Sequence, residues 1–70
     1  MKYIVIEIQK AANGNVTTIV NQYGTTNEAE SKFHDVMRYA AVSALPVHGA
    51  VILNEMGEWM KGEAYEHTVE

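Results

Sequence analysis

The sequence predicts an α+β fold of the ββαββ type, in which two β-hairpins flank one helix. Isoleucines alternate with other residues over 2–9, an Asn-Gly pair follows at 13–14, and apolar residues recur at helical spacing before Pro46. Alternation with a period of two is typical of a strand, and Asn-Gly favours a tight hairpin turn. The predicted elements are strands at about 2–9, 16–23, 47–54 and 58–66 and a helix at about 27–43, within a single domain spanning residues 1–70.

The register of the first hairpin depends on the length of its turn. A two-residue turn would set Ile19 beside Ile8 on the buried face of the sheet. A three-residue bulged turn would place Val16 and Val20 on that face instead. We favour the two-residue turn and keep the bulged turn as the alternative.

The predicted helix has clear signals at both ends. Thr25 or Thr26 offers a hydroxyl N-cap, and acidic residues follow in the first turn, where the helix dipole favours negative charge. Pro46 disfavours the α conformation at the residue before it, so the helix must end upstream. Its predicted apolar stripe consists of Ala29, Phe33, Val36, Met37, Ala40 and Ala44.

The second hairpin is predicted to turn at Met56-Gly57. This turn pairs Leu53 with Met60, Val51 with Gly62 and Gly49 with Ala64 on one face. The small residues of that face suggest that the helix lies close to it. The opposite face then carries the pairs His48 with Tyr65, Ile52 with Lys61 and Asn54 with Trp59.

The expected assembly is a four-stranded antiparallel sheet in the order 2-1-3-4 with the helix on one face. One helix covers one face only, so the other face would meet water unless a partner binds there. We expect a homodimer, or a complex with a host or phage protein, through this uncovered face. The interface candidates are Tyr3, Val5, Ile52, Trp59 and Tyr65.

Composition limits the classes of partner. Seventy residues bury little apolar surface, and the absence of cysteine removes disulfides and thiolate metal sites as sources of stability. The net charge of −4 and the scattered basic residues argue against nucleic-acid binding. No signal-peptide pattern or membrane-length apolar run is present in the sequence, so we expect a cytoplasmic protein that does not bind membranes.

One stretch resembles a known group of proteins. The run AESKFHDVMRYAAVSALPVHGAVIL at 29–53, together with the opening MKYIVIEIQ, resembles small uncharacterised proteins of Clostridia and related gut Firmicutes. The likeness extends from residue 1 to about residue 67, and AAVSALPVH at 40–48 is its most specific part. These proteins are often encoded beside phage or mobile-element genes. The resemblance implies a bacterial, cytoplasmic, phage-associated origin and assigns no activity to any residue.

Histidine supplies the alternative hypothesis of a small-ligand or metal-binding domain. His48, Tyr65 and His67 are its candidate residues, because imidazole is a common metal ligand and the open face could bring these side chains together. The histidines have no H-x-H or H-x-x-x-H spacing, so we expect structural roles, no metal and no cofactor.

A third hypothesis uses the acidic residues of the last third of the chain, which are Glu55, Glu58, Glu63, Glu66 and Glu70. An acidic surface can mimic nucleic acid and inhibit a protein with a basic cleft, but charges also protect strand edges from aggregation. No catalytic motif is present in the sequence, so we predict a protein that is not an enzyme. The leading prediction is a non-enzymatic interaction or accessory protein that acts as a homodimer.

Overall fold

Two β-hairpins flank one helix in a computed structural model that describes residues 1–67. The strands form an antiparallel sheet in the order β2-β1-β3-β4, and the helix packs on one of its faces. The predicted fold class and strand order are therefore confirmed. The elements are β1 Tyr3–Lys10, β2 Val16–Tyr23, α1 Thr26–Ala41, β3 Val47–Asn54 and β4 Trp59–Glu66.

Helix α1 begins where its capping signal predicts. The Thr25 hydroxyl accepts a hydrogen bond from the Glu28 backbone N–H at 3.2 Å and donates one to the Glu28 carboxylate at 3.0 Å. These bonds satisfy a backbone donor that the first turn otherwise leaves free. The helix ends at Ala41, two residues before the predicted end. No helix within residues 1–67 has the length and apolarity that crossing a lipid bilayer requires.

The first hairpin closes through a three-residue loop. Ala11 donates its backbone N–H to the Asn15 carbonyl, and Gly14 donates to the Ala11 carbonyl, each at 2.9 Å. Gly14 has a φ of +91°, a conformation that favours glycine over residues with a side chain. The favoured two-residue turn was wrong, and the bulged turn is the one observed. It places Val16 and Val20 on the face of Ile8, as the alternative states, but this face is not the buried one, and the two residues are 60% and 56% exposed.

The second hairpin uses the same kind of loop. Gly57, with a φ of +84°, donates its N–H to the Asn54 carbonyl at 2.9 Å, and Asn54 donates to the Glu58 carbonyl at 3.1 Å. Both oxygen and nitrogen of the Asn54 side chain also bond within this loop. The loop is therefore one residue longer than the predicted Met56-Gly57 turn.

A bulge then restores most of the predicted register. Leu53 pairs with Trp59 instead of Met60, and Met60 is the extra residue of the bulge. From Ile52 onward the pairs are as predicted, beginning with Ile52 and Lys61. The bulge therefore cancels the one-residue shift that the longer loop introduces.

The helix packs on the face opposite to the predicted one. Its apolar stripe meets Val5, Ala50 and Ile52, which are almost fully buried. Small residues were expected to mark the covered face, but both faces carry them. Ala50, with Ala29 and Ala40 of the helix, allows the close approach. The residues of this core are Val5, Ala29, Phe33, Val36, Met37, Ala40, Ala50 and Ile52.

Candidate functional site

The face of the sheet that the helix leaves uncovered is mostly apolar, and we call it the open face. Side chains alternate between the two faces along each strand, so the register assigns every strand position to one face. The apolar residues of the open face are Ile4, Ile6, Ile8, Val16, Val20, Val47, Val51, Leu53 and Trp59, with the small residues Gly49, Gly62 and Ala64 among them. Its polar residues are Lys10, Thr18, Gln22 and Glu66.

Charge on the open face is confined to one end. Lys10 of β1 and Glu66 of β4 both lie level with Val47 of β3, at the end where β3 begins. The middle of the face, around Ile6 and Val51, contains no charged strand position. Contiguous apolar surface of this kind marks interaction sites on soluble proteins.

Trp59 gives the open face its largest exposed side chain. The residue is 68% exposed, and its ring lies beside Gly62 on β4. A Cβ atom at Gly62 would lie 2.9 Å from the indole Nε1 and 3.6 Å from the ring carbons Cε2 and Cζ2. Glycine at this position therefore allows the ring to lie close to the backbone of β4. Amphipathic aromatic residues are enriched where protein interfaces are most tightly packed.

The structure separates the predicted interface residues into two groups. Trp59 lies on the open face because it pairs with Leu53 and not, as predicted, with Asn54. Val5 and Ile52 were predicted to face outward, but both are buried beneath the helix, and this prediction was wrong. Tyr3 is half-buried against the same core, and Tyr65 is 43% exposed on the helix side of the sheet. The error follows from the inverted face assignment, because residues two apart in a strand point the same way.

Sequence reasoning missed Ile4, Ile6 and Ile8 as surface residues. Their alternation was recognised, but such alternation is equally typical of a face that a helix covers. Which face the helix covers depends on strand pairing and on the handedness of the crossover between β2 and β3. The hydrophobicity of the two faces alone therefore could not identify the face that the helix covers.

A buried polar cluster lies on the helix side of the sheet. The His48 ring donates from Nε2 to the Glu7 carboxylate at 2.7 Å, and the Gln9 amide donates to the same oxygen at 2.7 Å. His48 is 6% exposed, and its Nδ1 has no hydrogen-bond partner among the described residues. The cluster joins β1 to β3, and its His48 ring is almost fully buried while Glu7 and Gln9 are half-buried.

The environment of Glu7 favours its ionised form. Burial raises the pKa of the Glu7 carboxyl group, but the hydrogen bonds from His48 and Gln9 lower it. Electrostatic interactions with His48 and Lys32 lower the pKa of Glu7 further, so that it lies below its ordinary value. The interactions of this carboxylate thus outweigh the cost of removing it from water.

The residues of the small-ligand hypothesis do not form an open site. The ring of His67 donates from Nε2 to the Ala40 carbonyl at 2.8 Å, near the end of the helix, and stacks on the ring of Tyr65. His48 is engaged with Glu7 beneath the helix. Within residues 1–67, no three histidine or acidic side chains come close enough together to hold a metal ion.

The acidic residues of the last third are spread over different parts of the molecule. Glu55 and Glu58 lie in the β3–β4 loop, Glu63 faces the helix side, and Glu66 lies on the open face at the opposite end of the sheet. Glu70 lies outside the described residues. The placed residues therefore do not form one acidic surface.

A cleft beside the start of the helix is one of the concave features of the described residues. Its volume is about 110 Å³, whereas ligand pockets usually measure about 300–1,000 Å³. Its charged groups already contact each other, because Lys61 Nζ lies 3.2 Å from the Glu30 carboxylate and 5.1 Å from the centre of the Phe33 ring. The cleft favours no ligand over water.

Comparison with known proteins identifies no relative of this chain. No family model, curated protein or solved structure matches the chain. The open face is thus the feature of the described residues with the clearest capacity to bind another molecule.

Proposed function

We propose that this protein is a non-enzymatic interaction protein that forms a homodimer through its open face. The observation that carries this proposal is the uncovered apolar surface centred on Ile6 and Val51 and flanked by Trp59. A sheet with apolar residues on both faces is stable in water when each face packs against another layer. Helix α1 supplies a layer on one face only.

The size of the chain supports a second copy as the missing layer. A domain of 70 residues buries a small core, and three of the eight core residues on the helix side are alanines. Packing two open faces together would add a second apolar core without any further sequence. Symmetric dimers that use the same surface on both subunits are the commonest oligomers of soluble proteins. A host or phage protein is the competing occupant of this face.

We propose a non-enzymatic role because the polar pair most similar to a catalytic dyad is largely buried. His48 and Glu7 are the pair whose chemistry resembles that of a catalytic dyad, yet both lie beneath the helix, with 7% and 14% of their side chains exposed. A substrate would not reach them without displacement of the helix. The cytoplasmic location and the mobile-element association expected above remain part of this proposal.

Trp59 provides a direct measurement of association. It is the only tryptophan of the chain and is largely exposed in the monomer, so burial in a dimer should shift its emission to shorter wavelength. We expect this shift to depend on protein concentration in the micromolar range, and sedimentation equilibrium to give twice the monomer mass at tens of micromolar.

Two matched substitutions test whether the open face is responsible. Ile6→Lys places a charge in the middle of the open face and should yield a folded monomer, because burying an unpaired ammonium group is costly. Ile19→Lys makes the same change at a 42% exposed position on the helix side and should leave the dimer intact. A wild-type chain that sediments as a monomer at these concentrations would refute the proposal, as would equal behaviour of the two variants.

A further inference from the structure

The open face has a ridge and a groove on opposite sides of β3. The ridge is the row Ile4, Ile6 and Ile8 on β1. The groove lies on β4 at Ala64, which is level with Ile8, and it is bordered at the level of Ile6 by the Trp59 ring, which lies close to Gly62. Because the strand order is β1-β3-β4, the ridge and the groove lie at equal distances from β3. Such a surface can be complementary to itself.

We propose, on the basis of the homodimer proposed above, that the two copies are related by a two-fold axis running along β3. Rotation about this axis lays β1 of each protomer over β4 of its partner and β3 over β3. Ile6 then lies over the partner subunit's Trp59 ring beside the partner subunit's Gly62, and Ile8 over the partner subunit's Ala64. Ile8 thus enters the space left by a small residue, and Ile6 packs against an aromatic ring, as close packing between sheets requires.

The same axis pairs the charges of the open face. Lys10 and Glu66 are level with each other on β1 and β4. The rotation brings Lys10 over the partner subunit's Glu66, and the symmetry produces a second, identical pair. Within residues 1–67, neither side chain forms an ion pair with another group of its own chain. Charge complementarity of this kind fixes the orientation of two partners.

A two-fold axis across the strands gives a poorer fit. It would lay β1 over β1, so that the ridge meets the ridge and the groove meets the groove. It would also exchange the two ends of the sheet and bring Lys10 against the partner subunit's Ile4. A charged group would then be buried against an aliphatic side chain without an ion-pair partner, which is unfavourable.

The remaining strand fits the rim of this arrangement. β2 is the outermost strand on the β1 side, so it extends beyond the partner's β4 edge when β3 lies over β3. Its outward residues alternate between the polar Thr18 and Gln22 and the exposed Val16 and Val20, so this strand is a rim of mixed character. Polar residues are typical of the rim of an interface, where water remains.

Charge reversal tests the predicted ion pairs. Lys10→Glu and Glu66→Lys should each raise the dissociation constant of the dimer about tenfold, because each creates two like-charge contacts. The double variant should return to within about threefold of the wild-type value, since it restores both pairs with reversed sign. Glu63→Lys is the matched control on the helix side of β4 and should not change the dissociation constant.

Disulfide trapping tests the axis itself, and the absence of native cysteine makes single-cysteine variants unambiguous. Val51→Cys lies next to the proposed axis and should form a covalent dimer under mild oxidation at least tenfold faster than Ile6→Cys. The axis across the strands predicts similar rates for the two variants, because Ile6 and Val51 are level with each other and each would then lie equally far from its own copy. Thr18→Cys on the rim measures the rate of random collision.

The outcomes separate this inference from the proposal on which it rests. Preferential trapping at Val51 and recovery of affinity in the double charge variant would support the axis along β3. A wild-type dimer that traps at Ile6 as fast as at Val51, or whose double variant stays as weak as the single variants, would overturn the axis and leave the homodimer standing. A monomeric wild-type chain would overturn both.

Discussion

The imidazole of His48 and the carboxylate of Glu7 lie 2.7 Å apart beneath the helix and join the neighbouring strands β3 and β1. The two residues are 41 positions apart in the sequence. The Gln9 amide donates to the same carboxylate oxygen. A buried carboxylate is tolerated when its hydrogen bonds and nearby positive charges outweigh the loss of hydration. The pair therefore ties β1 to β3 in a manner that depends on the charge of Glu7.

Stability should fall when Glu7 becomes protonated. The pKa of Glu7 is lower in the folded state than its ordinary value of about 4.5, so the folded state favours the ionised form. The stability that this difference contributes is present above the unfolded-state pKa and is lost as pH falls through the folded-state pKa. Its loss should therefore lie below about pH 4.5.

Urea unfolding of Glu7→Gln at a series of pH values measures this contribution. At pH 7 the variant should be less stable than the wild type by about 1–3 kcal/mol, because a charged hydrogen-bond acceptor is lost. The difference should shrink as pH falls below about 4.5. Glu63→Gln, at an exposed position of β4, is the control and should remain close to the wild type at pH 7. A difference for Glu7→Gln that is constant with pH would contradict the prediction.

Gly49 should not tolerate even a methyl group. A Cβ atom there would lie 2.5 Å from the Glu63 carbonyl oxygen and 2.7 Å from the Ala64 Cβ. The first of these is a backbone atom, so β3 and β4 would have to separate. Gly49→Ala should lower the free energy of unfolding by about 1–3 kcal/mol.

Gly24→Ala is the matched control for this clash. No atom lies within 4 Å of the Cβ that it would add, and its φ is not in the left-handed region. It should be neutral or stabilise the fold by up to about 1 kcal/mol through the unfolded state. Chemical unfolding of Gly49→Ala and Gly24→Ala tests this prediction. Equal free energies of unfolding would mean that β4 moves away from the added methyl group without loss of stability.

The sequence predicted the elements of this fold well because their signals are local. Thr25, Asn13-Gly14 and Pro46 act on the backbone around them, so caps, turns and helix ends can be recognised without the rest of the chain. Strand order followed from the short connections and the crossover rule. These features needed no knowledge of the side-chain packing.

The face covered by the helix could not be predicted in the same way. The isoleucine face of β1 and the face of Val5 both offer apolar side chains, and small residues occur on both sides of β3. An additional residue in each hairpin loop also changed the pairing, and Met60 then reversed part of that change. The pairing of Ile52 was predicted correctly, so the error in the candidate interface came from the choice of the covered face and not from the loops. The prediction of an uncovered apolar face did not depend on that choice.

The N-cap of α1 should contribute measurably to stability. Thr25→Ala removes the hydroxyl that bonds to the Glu28 backbone N–H and should cost about 1 kcal/mol. Thr26→Ala is the control, because Thr26 begins the helix and alanine has the higher helix propensity. Thermal unfolding monitored by circular dichroism should show a lower midpoint than the wild type for Thr25→Ala only. A larger loss for Thr26→Ala would place the cap at Thr26.

His67 should stabilise the end of the helix although it lies after the last strand. Its ring donates a 2.8 Å hydrogen bond to the Ala40 carbonyl in the last turn of the helix, an acceptor that otherwise bonds only the Ser43 backbone N–H, at 3.3 Å, among the described residues. His67→Ala should lower the free energy of unfolding by about 1 kcal/mol and increase amide hydrogen exchange in the last turn of α1. The His67 backbone N–H would still bond to the Pro46 carbonyl.

His34→Ala is the matched histidine control for this prediction. The His34 side chain is 67% exposed and lies 3.5 Å from the Glu30 carboxylate on the helix surface, a contact of little energetic value. Its removal should change stability by less than about 0.5 kcal/mol. If the two variants lose the same stability, and exchange in the last turn is unchanged in His67→Ala, then the helix end is held by its backbone bonds and core contacts alone.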